Sequence, residues 1–345
     1  MTVVCMDCLD GLKLLGENSV DAVVTDPPYG LSFMGRRWDY DVPDVEIWAE
    51  CLRVLKPGGY LLAFAGTRTQ HRMAVRIEDA GFEIRDLIAW VYGSGFPKSH
   101  NGEWGGTALK PALEPITVAR KPLVGTVGQN WREYGTGALN IDGCRVGMPA
   151  DAEGRDVIGR WPANLIHDGS DEVLAAFPAA PGQLAKASTS DTLRAGQNTY
   201  GAMSRGSTGQ EPRGDTGNAS RFFYCAKASK QDRDEGLSLF QTQTVGDGRR
   251  AVAENPRLRN TIERRNTHPT VKPTALMRHL VRLATPTGGF VVDPFAGSGS
   301  TGKAAALEGF RFLGFEREPD FAEIANARID AAVTGRVPST PRNPE

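Results

Sequence analysis

The chain has 345 residues, of which 40% are hydrophobic and 23% charged, with a formal net charge of −1. This describes a globular protein of about two domains with a sizeable core. It excludes binding to nucleic acid through overall charge, so any such affinity must come from local basic patches.

No apolar stretch approaches the length of a membrane span, and "MTVVCMDCLDG" lacks a basic segment followed by a long apolar one. A cytoplasmic protein with no membrane partner is the expectation. Five cysteines do not make an even disulfide framework. Cys5 and Cys8 have Cys-x-x-Cys spacing but no second pair follows, so no metal site is expected and the thiols read as small apolar residues.

Residues 1–122 alternate between strand and helix signals. "SVDAVVTD" is a short apolar run that reads as a buried strand. It ends in "DPPYG", where two adjacent prolines can neither continue a helix nor sit inside a sheet. "VEIWAECLRVLKPGG" has apolar residues at helical spacing, with Pro57, Gly58 and Gly59 as stop signals. "YLLAFAG" reads as a strand and "TRTQHRMAVRIEDAGF" as a helix, with Thr67 or Thr69 as N-cap and Gly81 at its end. "EIRDLIAWVYG" follows as a strand.

Residues 123–263 are rich in Gly, Ser, Thr, Asn and Pro, with weak periodicity except in short pieces such as "RFFYCAK". They read as a loop-rich insertion. Near its end are Arg249, Arg250, Arg257, Arg259, Arg264 and Arg265. Such a run suits contacts to phosphates, or simply a solvated charged loop.

From about residue 268 the alternation resumes. "KPTALMRHLVRLAT" is an amphipathic helix and "GGFVVDPFAG" a strand entering a Gly-rich turn. "STGKAAALEG" is a helix, "FRFLGFE" a strand and "PDFAEIANARIDAAV" a helix. Together the two alternating portions predict an α/β fold with one mostly parallel sheet covered by helices on both faces.

The turn "DPFAGSGSTGKAA" opens a helix, whose N-terminus offers free N–H groups to a ligand. Three ligand classes fit. A phosphate loop for a nucleoside triphosphate matches Gly297, Gly302 and Lys303 but has Ala304 where a Ser or Thr should meet Mg²⁺. A dinucleotide fingerprint matches Gly297, Gly299 and Gly302, with Glu316 where a ribose acid belongs, but few residues follow it. S-adenosylmethionine, with cationic sulfonium and amino groups, suits Asp293 before the turn and Glu316 for the ribose. A tight turn with no ligand is the remaining alternative.

"DPPY" at 26–29 together with "DPFAGSGST" at 293–301 resembles the amino-group DNA methyltransferases, which act on adenine N6 or cytosine N4. The order, catalytic motif before cofactor motif with a long insertion between, resembles the circularly permuted beta class. "NTHPTVKPTALMRHLVRLAT" and "MDCLDGLKLLGENSVDAVVTDPPY" resemble its flanking segments. The resemblance covers 1–122 and 264–345. It implies a Rossmann-like methyltransferase fold, with residues 1–122 as the catalytic half, 264–345 as the cofactor-binding half and 123–263 as an inserted target-recognition region.

It also implies residue roles. Asp26 and the Pro27 carbonyl would accept N–H bonds from the target amine, Pro27 and Pro28 would hold that carbonyl in place, and Tyr29 would stack on a flipped base. Asp293, Phe295, Gly297, Gly299 and Thr301 would surround the methionine part of S-adenosylmethionine. Glu316 would bind the ribose, Asp7 would contact the adenine edge and Lys272 would line the methionine end. Trp90 and Tyr92 read equally as flanks of the flipped base or as core aromatics. Double-stranded DNA is the implied partner, with a homodimer and a cognate restriction enzyme as further ones.

Asp26 favours adenine over cytosine, because N4-cytosine enzymes more often carry serine there. No cysteine follows a proline, as C5 methylation usually requires. An RNA base methyltransferase would usually run its motifs in the opposite order, and intact Asp26 and Tyr29 argue against a non-catalytic DNA-binding homologue.

Overall fold

A computed structural model describes residues 1–32, 37–95, 102–147, 159–180, 217–226, 231–246 and 261–335. The N-terminal part forms β1 (Thr2–Cys5), α1 (Cys8–Lys13), β2 (Val20–Thr25), α2 (Val45–Val54), β3 (Leu55–Phe64), α3 (Gln70–Asp79), β4 (Glu83–Val91) and β5 (Leu113–Arg120). The middle contributes α4 (Val127–Tyr134), β6 (Leu165–His167), α5 (Asp171–Ala176), β7 (Tyr224–Cys225), α6 (Gln231–Asp234) and β8 (Gln243–Gly246). The C-terminal part contains β9 (Thr261–Arg264), α7 (Thr274–Ala284), β10 (Phe290–Asp293), α8 (Ser300–Glu308), β11 (Arg311–Glu316) and α9 (Pro319–Thr334).

Nine strands form one sheet in the order β1-β11-β10-β2-β3-β5-β4-β6-β7. The pairs from β1 through β3 are parallel, β5 is antiparallel to both β3 and β4, and β4, β6 and β7 are parallel. Strands β8 and β9 make a separate antiparallel pair. The mostly parallel sheet expected from the alternation is present, and both α/β portions share it.

Side chains alternate across the sheet, as a pleated strand requires. Ala22 and Val24 of β2 pack on the face covered by α7, α8 and α9, where Leu276, Leu280, Ala305 and Ile329 are buried. Val23 packs on the other face with Leu12 of α1, Trp48 of α2 and Ile77 of α3. Burial on both faces explains why β2 reads as a continuous apolar run. The exception is Asp21, buried in the strand. Its carboxylate accepts from Lys56 Nζ at 2.6 Å and from the Phe290 N–H at 2.7 Å, so it ties β2 to both neighbours.

The structure differs from sequence expectation in three places. Pro57, Gly58 and Gly59 do not end α2 but lie inside β3. The register shifts between the Val20–Leu55 and Ala22–Tyr60 pairs, and this bulge absorbs them. The Pro57 carbonyl accepts from Asn130 Nδ2 at 2.8 Å and Thr136 Oγ1 at 2.5 Å, so segment 130–136 satisfies the bulge. Strand β5 was not foreseen; it carries a proline, Pro115, which pairs opposite Ala89. Finally, β6 and β7 extend the main sheet from within the segment that reads as a loop-rich insertion.

Strands β10 and β2 pair in parallel with Val291 opposite Ala22 and Val292 opposite Val23. Their carboxyl ends, Asp293 and Thr25, therefore emerge side by side although 268 positions separate them. Strands β1 and β11 end on the same side of the sheet.

Candidate active site

Open α/β sheets bind ligands outside the carboxyl ends of their strands. Here a cavity of about 560 Å³ lies at those ends, within the usual range of small-molecule sites. Residues from both ends of the chain line it, including Asp7, Asp26, Tyr29, Lys272, Asp293 and Glu316.

At the end of β10, the buried Asp293 carboxylate accepts from Thr25 Oγ1 and Thr301 Oγ1, each at 2.6 Å, and from the Phe295 N–H at 3.0 Å. Burial nevertheless pushes its carboxyl up to about 6, the three hydrogen bonds opposing the shift. At the end of β11, Glu316 accepts the Gly297 N–H and the Glu318 N–H, each at 2.9 Å, and burial raises its carboxyl too.

The Gly-rich turn needs its glycines. Gly297 has φ +50, and a Cβ there would sit 2.8 Å from His268 Nε2. Gly299 has φ +75 as N-cap of α8, and a Cβ there would meet Ala325 at 2.8 Å. Behind the turn, the buried Arg328 guanidinium donates to the Ser298 carbonyl, to Ser298 Oγ at 3.0 Å and to the Asp232 carbonyl at 2.8 Å.

On the other side of the cavity, Asp26, Pro27, Pro28 and Tyr29 leave the end of β2. The Tyr29 hydroxyl bonds with Asp26 Oδ1 at 2.7 Å and Glu114 Oε2 at 3.1 Å. Lys272 Nζ lies 3.0 Å from Asp26 Oδ2, 2.9 Å from Glu114 Oε2 and 3.0 Å from Tyr29 Oη. It also sits 4.8 Å from the centre of the Phe64 ring. Burial raises the Asp26 carboxyl, Lys272 pulls it down and Glu114 pushes it up. Burial alone would lower Lys272, but the two carboxylates outweigh it and hold the ammonium above its ordinary value. The Tyr29 phenol stays protonated because burial and both carboxylates oppose its ionisation.

The residues singled out in the sequence largely converge. Asp26, Pro27, Pro28, Tyr29, Asp7, Lys272, Asp293, Phe295, Gly297, Thr301 and Glu316 all line the one cavity. Gly299 instead shapes the turn from behind. Asp7 also caps α1, accepting the Leu9 N–H at 2.9 Å. Lys272 takes its partners from the Asp26 side of the cavity. Trp90 is buried in the core, while the Tyr92 ring packs against it at a tilt, centroids 4.9 Å apart, and Tyr92 hydrogen-bonds Glu114. Thr69 begins α3 but does not cap it with its side chain; its hydroxyl donates to the Tyr29 carbonyl at 2.5 Å.

Arg264 is half-buried at the end of β9 and Arg265 is exposed. Arg249, Arg250, Arg257 and Arg259 lie outside the described residues. Among the described residues, no three His, Cys, Asp or Glu side chains cluster as metal ligands do, and no helix is long and apolar enough to cross a membrane.

Sequence reasoning missed Glu114, Asp39 and His268. Glu114 comes from β5, which was not foreseen. Asp39 is buried below the Asp26–Tyr29 loop. His268 stands one position before the proline of "HPTVKP", and burial pushes its imidazole down to about 4, so it is neutral there.

A mostly parallel sheet with helices on both faces, an acid at the end of each of two neighbouring strands and a Gly-rich turn into a helix define a Rossmann-like α/β protein. A family model described as DNA methylase matches residues 20–327, and the chain belongs to that family. It is 36% identical over 81 residues to the DNA adenine methyltransferase YhdJ of Escherichia coli (strain K12), which covers 24% of this chain and 28% of the relative. It is 41% identical over 64 residues to the type II methyltransferase M2.DpnII of Streptococcus pneumoniae, covering 19% and 24%. These matches thus span about a quarter of each relative's length. Among solved structures, the cytosine-N4-specific PvuII DNA methyltransferase overlays with a TM-score of 0.49 at 17% identity, covering 95% of this chain and 87% of that one. An M1.HpyAVI–SAM complex gives 0.46 at 17%, covering 95% and 98%.

Proposed function

We propose that the chain transfers a methyl group from S-adenosylmethionine to the exocyclic amine of a base flipped out of double-stranded DNA, with adenine N6 as the acceptor. The observation that carries this is the neighbourhood of β2 and β10. It places the Asp26 carboxylate and the Asp293–Glu316 pair in one cavity, bridged by the Thr25–Asp293 hydrogen bond at 2.6 Å.

The donor set suits the cofactor. Asp293 offers a negative charge for its amino group, Glu316 two oxygens for its ribose diol, and Gly297 a backbone with no side chain in the way. When bound, the cofactor supplies a methyl group on a positively charged sulfur. The amine of adenine is a poor nucleophile because its lone pair is delocalised into the ring. Asp26 and the Pro27 carbonyl accept its two N–H bonds, which favours a pyramidal nitrogen with its lone pair aimed at the methyl group. Asp26 and the Pro27 carbonyl hold the nitrogen in place as its lone pair takes the methyl group and the cofactor leaves as the neutral thioether. The nitrogen becomes positive, which the Asp26 carboxylate stabilises, and its extra proton passes to Asp26 or water.

Adenine is preferred because the motif begins with Asp26 rather than serine. The region 123–263 supplies target recognition, with the arginines at 249–265 on phosphates. The test is transfer of labelled methyl to duplex DNA by the wild type and by Asp26→Ala, followed by hydrolysis of the DNA to nucleosides. The variant is expected to lose about 10²–10³-fold in rate and the labelled nucleoside to be N6-methyl-2′-deoxyadenosine. Equal incorporation by the two proteins removes Asp26 from the mechanism. N4-methylcytosine in the product corrects the base.

A further inference from the structure

Glu114 belongs to no motif at the site, yet it touches two of the cavity's polar groups, Lys272 and Tyr29, and the neighbouring Tyr92. Its Oε2 lies 2.9 Å from Lys272 Nζ and 3.1 Å from Tyr29 Oη, and Tyr92 also bonds to it. Lys272 Nζ is 3.0 Å from Asp26 Oδ2. One ammonium is therefore shared by two carboxylates that approach from β2 and from β5. The Tyr29 hydroxyl lies between the same two carboxylates and, with one proton, can donate to only one of them at a time.

We propose that Glu114 is a positioning residue for methyl transfer, holding Lys272 so that Asp26 is released to the incoming amine. This rests on the function proposed above. A buried ion pair between Lys272 and Asp26 alone would have to be broken before an amine could reach Asp26, leaving an unpaired ammonium. The Lys272, Asp26 and Glu114 side chains are only 8%, 19% and 21% exposed, so water is a poor substitute partner. Glu114 removes that obstacle. When the amine takes Asp26, Lys272 keeps a charged partner at 2.9 Å. The two carboxylates also outnumber the ammonium, which favours the positive charge that develops on the attacking nitrogen.

The other ionisable groups facing Asp26 leave this balance intact. Tyr29 remains a neutral phenol, His268 a neutral imidazole, and Asp293 adds a like charge. Replacing Glu114 by a neutral group removes a charge that raises the Asp26 carboxyl and leaves Lys272 to Asp26 alone. Both changes move Asp26 ionisation to lower pH.

The experiment compares wild type, Glu114→Gln and Glu114→Asp in single-turnover methyl transfer to duplex DNA across pH, with cofactor affinity measured separately. Glu114→Gln is expected to transfer about 10–100-fold more slowly, to bind cofactor as the wild type does, and to show the acid limb of its rate profile at lower pH. Glu114→Asp keeps the charge and is expected to keep the wild-type limb. A wild-type rate in Glu114→Gln, or a slower rate with an unmoved limb, overturns the proposal. If Glu114→Gln fails to bind cofactor, Glu114→Asp decides: a slowed reaction with the wild-type limb supports the proposal and a displaced limb overturns it. Absence of transfer by the wild type overturns the proposed function and this inference with it, whereas the other outcomes bear on Glu114 alone.

Discussion

The carboxylate of Asp39 accepts the backbone N–H of Tyr29 at 2.6 Å. The same carboxylate takes the Gly30 N–H at 3.0 Å and the Leu31 N–H at 3.2 Å, and the side chain is buried. From the opposite side Thr69 Oγ1 donates to the Tyr29 carbonyl. The chain that leaves Pro27 and Pro28 is thus held at both the N–H and the C=O of its aromatic residue.

Asp39→Ala leaves three N–H groups without that acceptor. We expect it to destabilise the protein by about 2 kcal/mol or more, read by urea unfolding. Methyl transfer should fall while cofactor affinity holds, because the loop carries Asp26 and Tyr29 rather than the Asp293–Glu316 side. Asp39→Asn keeps one oxygen acceptor and should fall between.

Asp293 makes both the stability of the free protein and its cofactor affinity depend on pH in the mildly acidic range, with opposite signs. Its carboxyl stands at about 6 when folded against 3.8 ordinarily. Between those values the folded state holds a proton that the unfolded chain has released, so stability of the free protein falls as pH rises through that window. A cationic ligand favours the ionised carboxylate, so cofactor affinity should weaken as pH drops below about 6. Calorimetric titration at several pH values checks this, and Asp293→Asn should bind weakly at every pH without the dependence.

Arg264 and Arg265 close β9 beside the arginine run. Replacing both by alanine should lower DNA affinity and reduce the slope of log K against log salt by about 0.9 for each phosphate that is no longer neutralised. Fluorescence anisotropy over a salt series measures it. An unchanged slope means that these two side chains do not meet phosphates.

Much of the site was legible because its residues sit in short contiguous motifs. Asp26 to Tyr29 and Asp293 to Thr301 each announce a strand end by prolines or glycines, and neither specifies a ligand alone. Glu316 was placed by its spacing from the Gly-rich turn. Glu114 was not legible. It meets Tyr29 across 85 positions, from a strand that follows the last one foreseen in that half of the chain. Asp39 looked like any acid in a polar loop, since nothing local signals that its carboxylate will turn inward to cap backbone. The bulge in β3 was misread because a Pro-Gly-Gly run ends helices and kinks strands with the same local chemistry.

The Thr25–Asp293 hydrogen bond has a consequence for how the protein comes into being. Ribosomal synthesis delivers β2 long before β10, and a parallel pair joined across such a span is slow to close. Until β10 and β11 have emerged, Asp26 has no Asp293 or Glu316 beside it and β2 lacks one of its neighbours. A nascent chain should therefore be unable to retain the methyl donor, and the apolar β2 should stay exposed along one edge until then. Catalytic competence would arrive late and all at once.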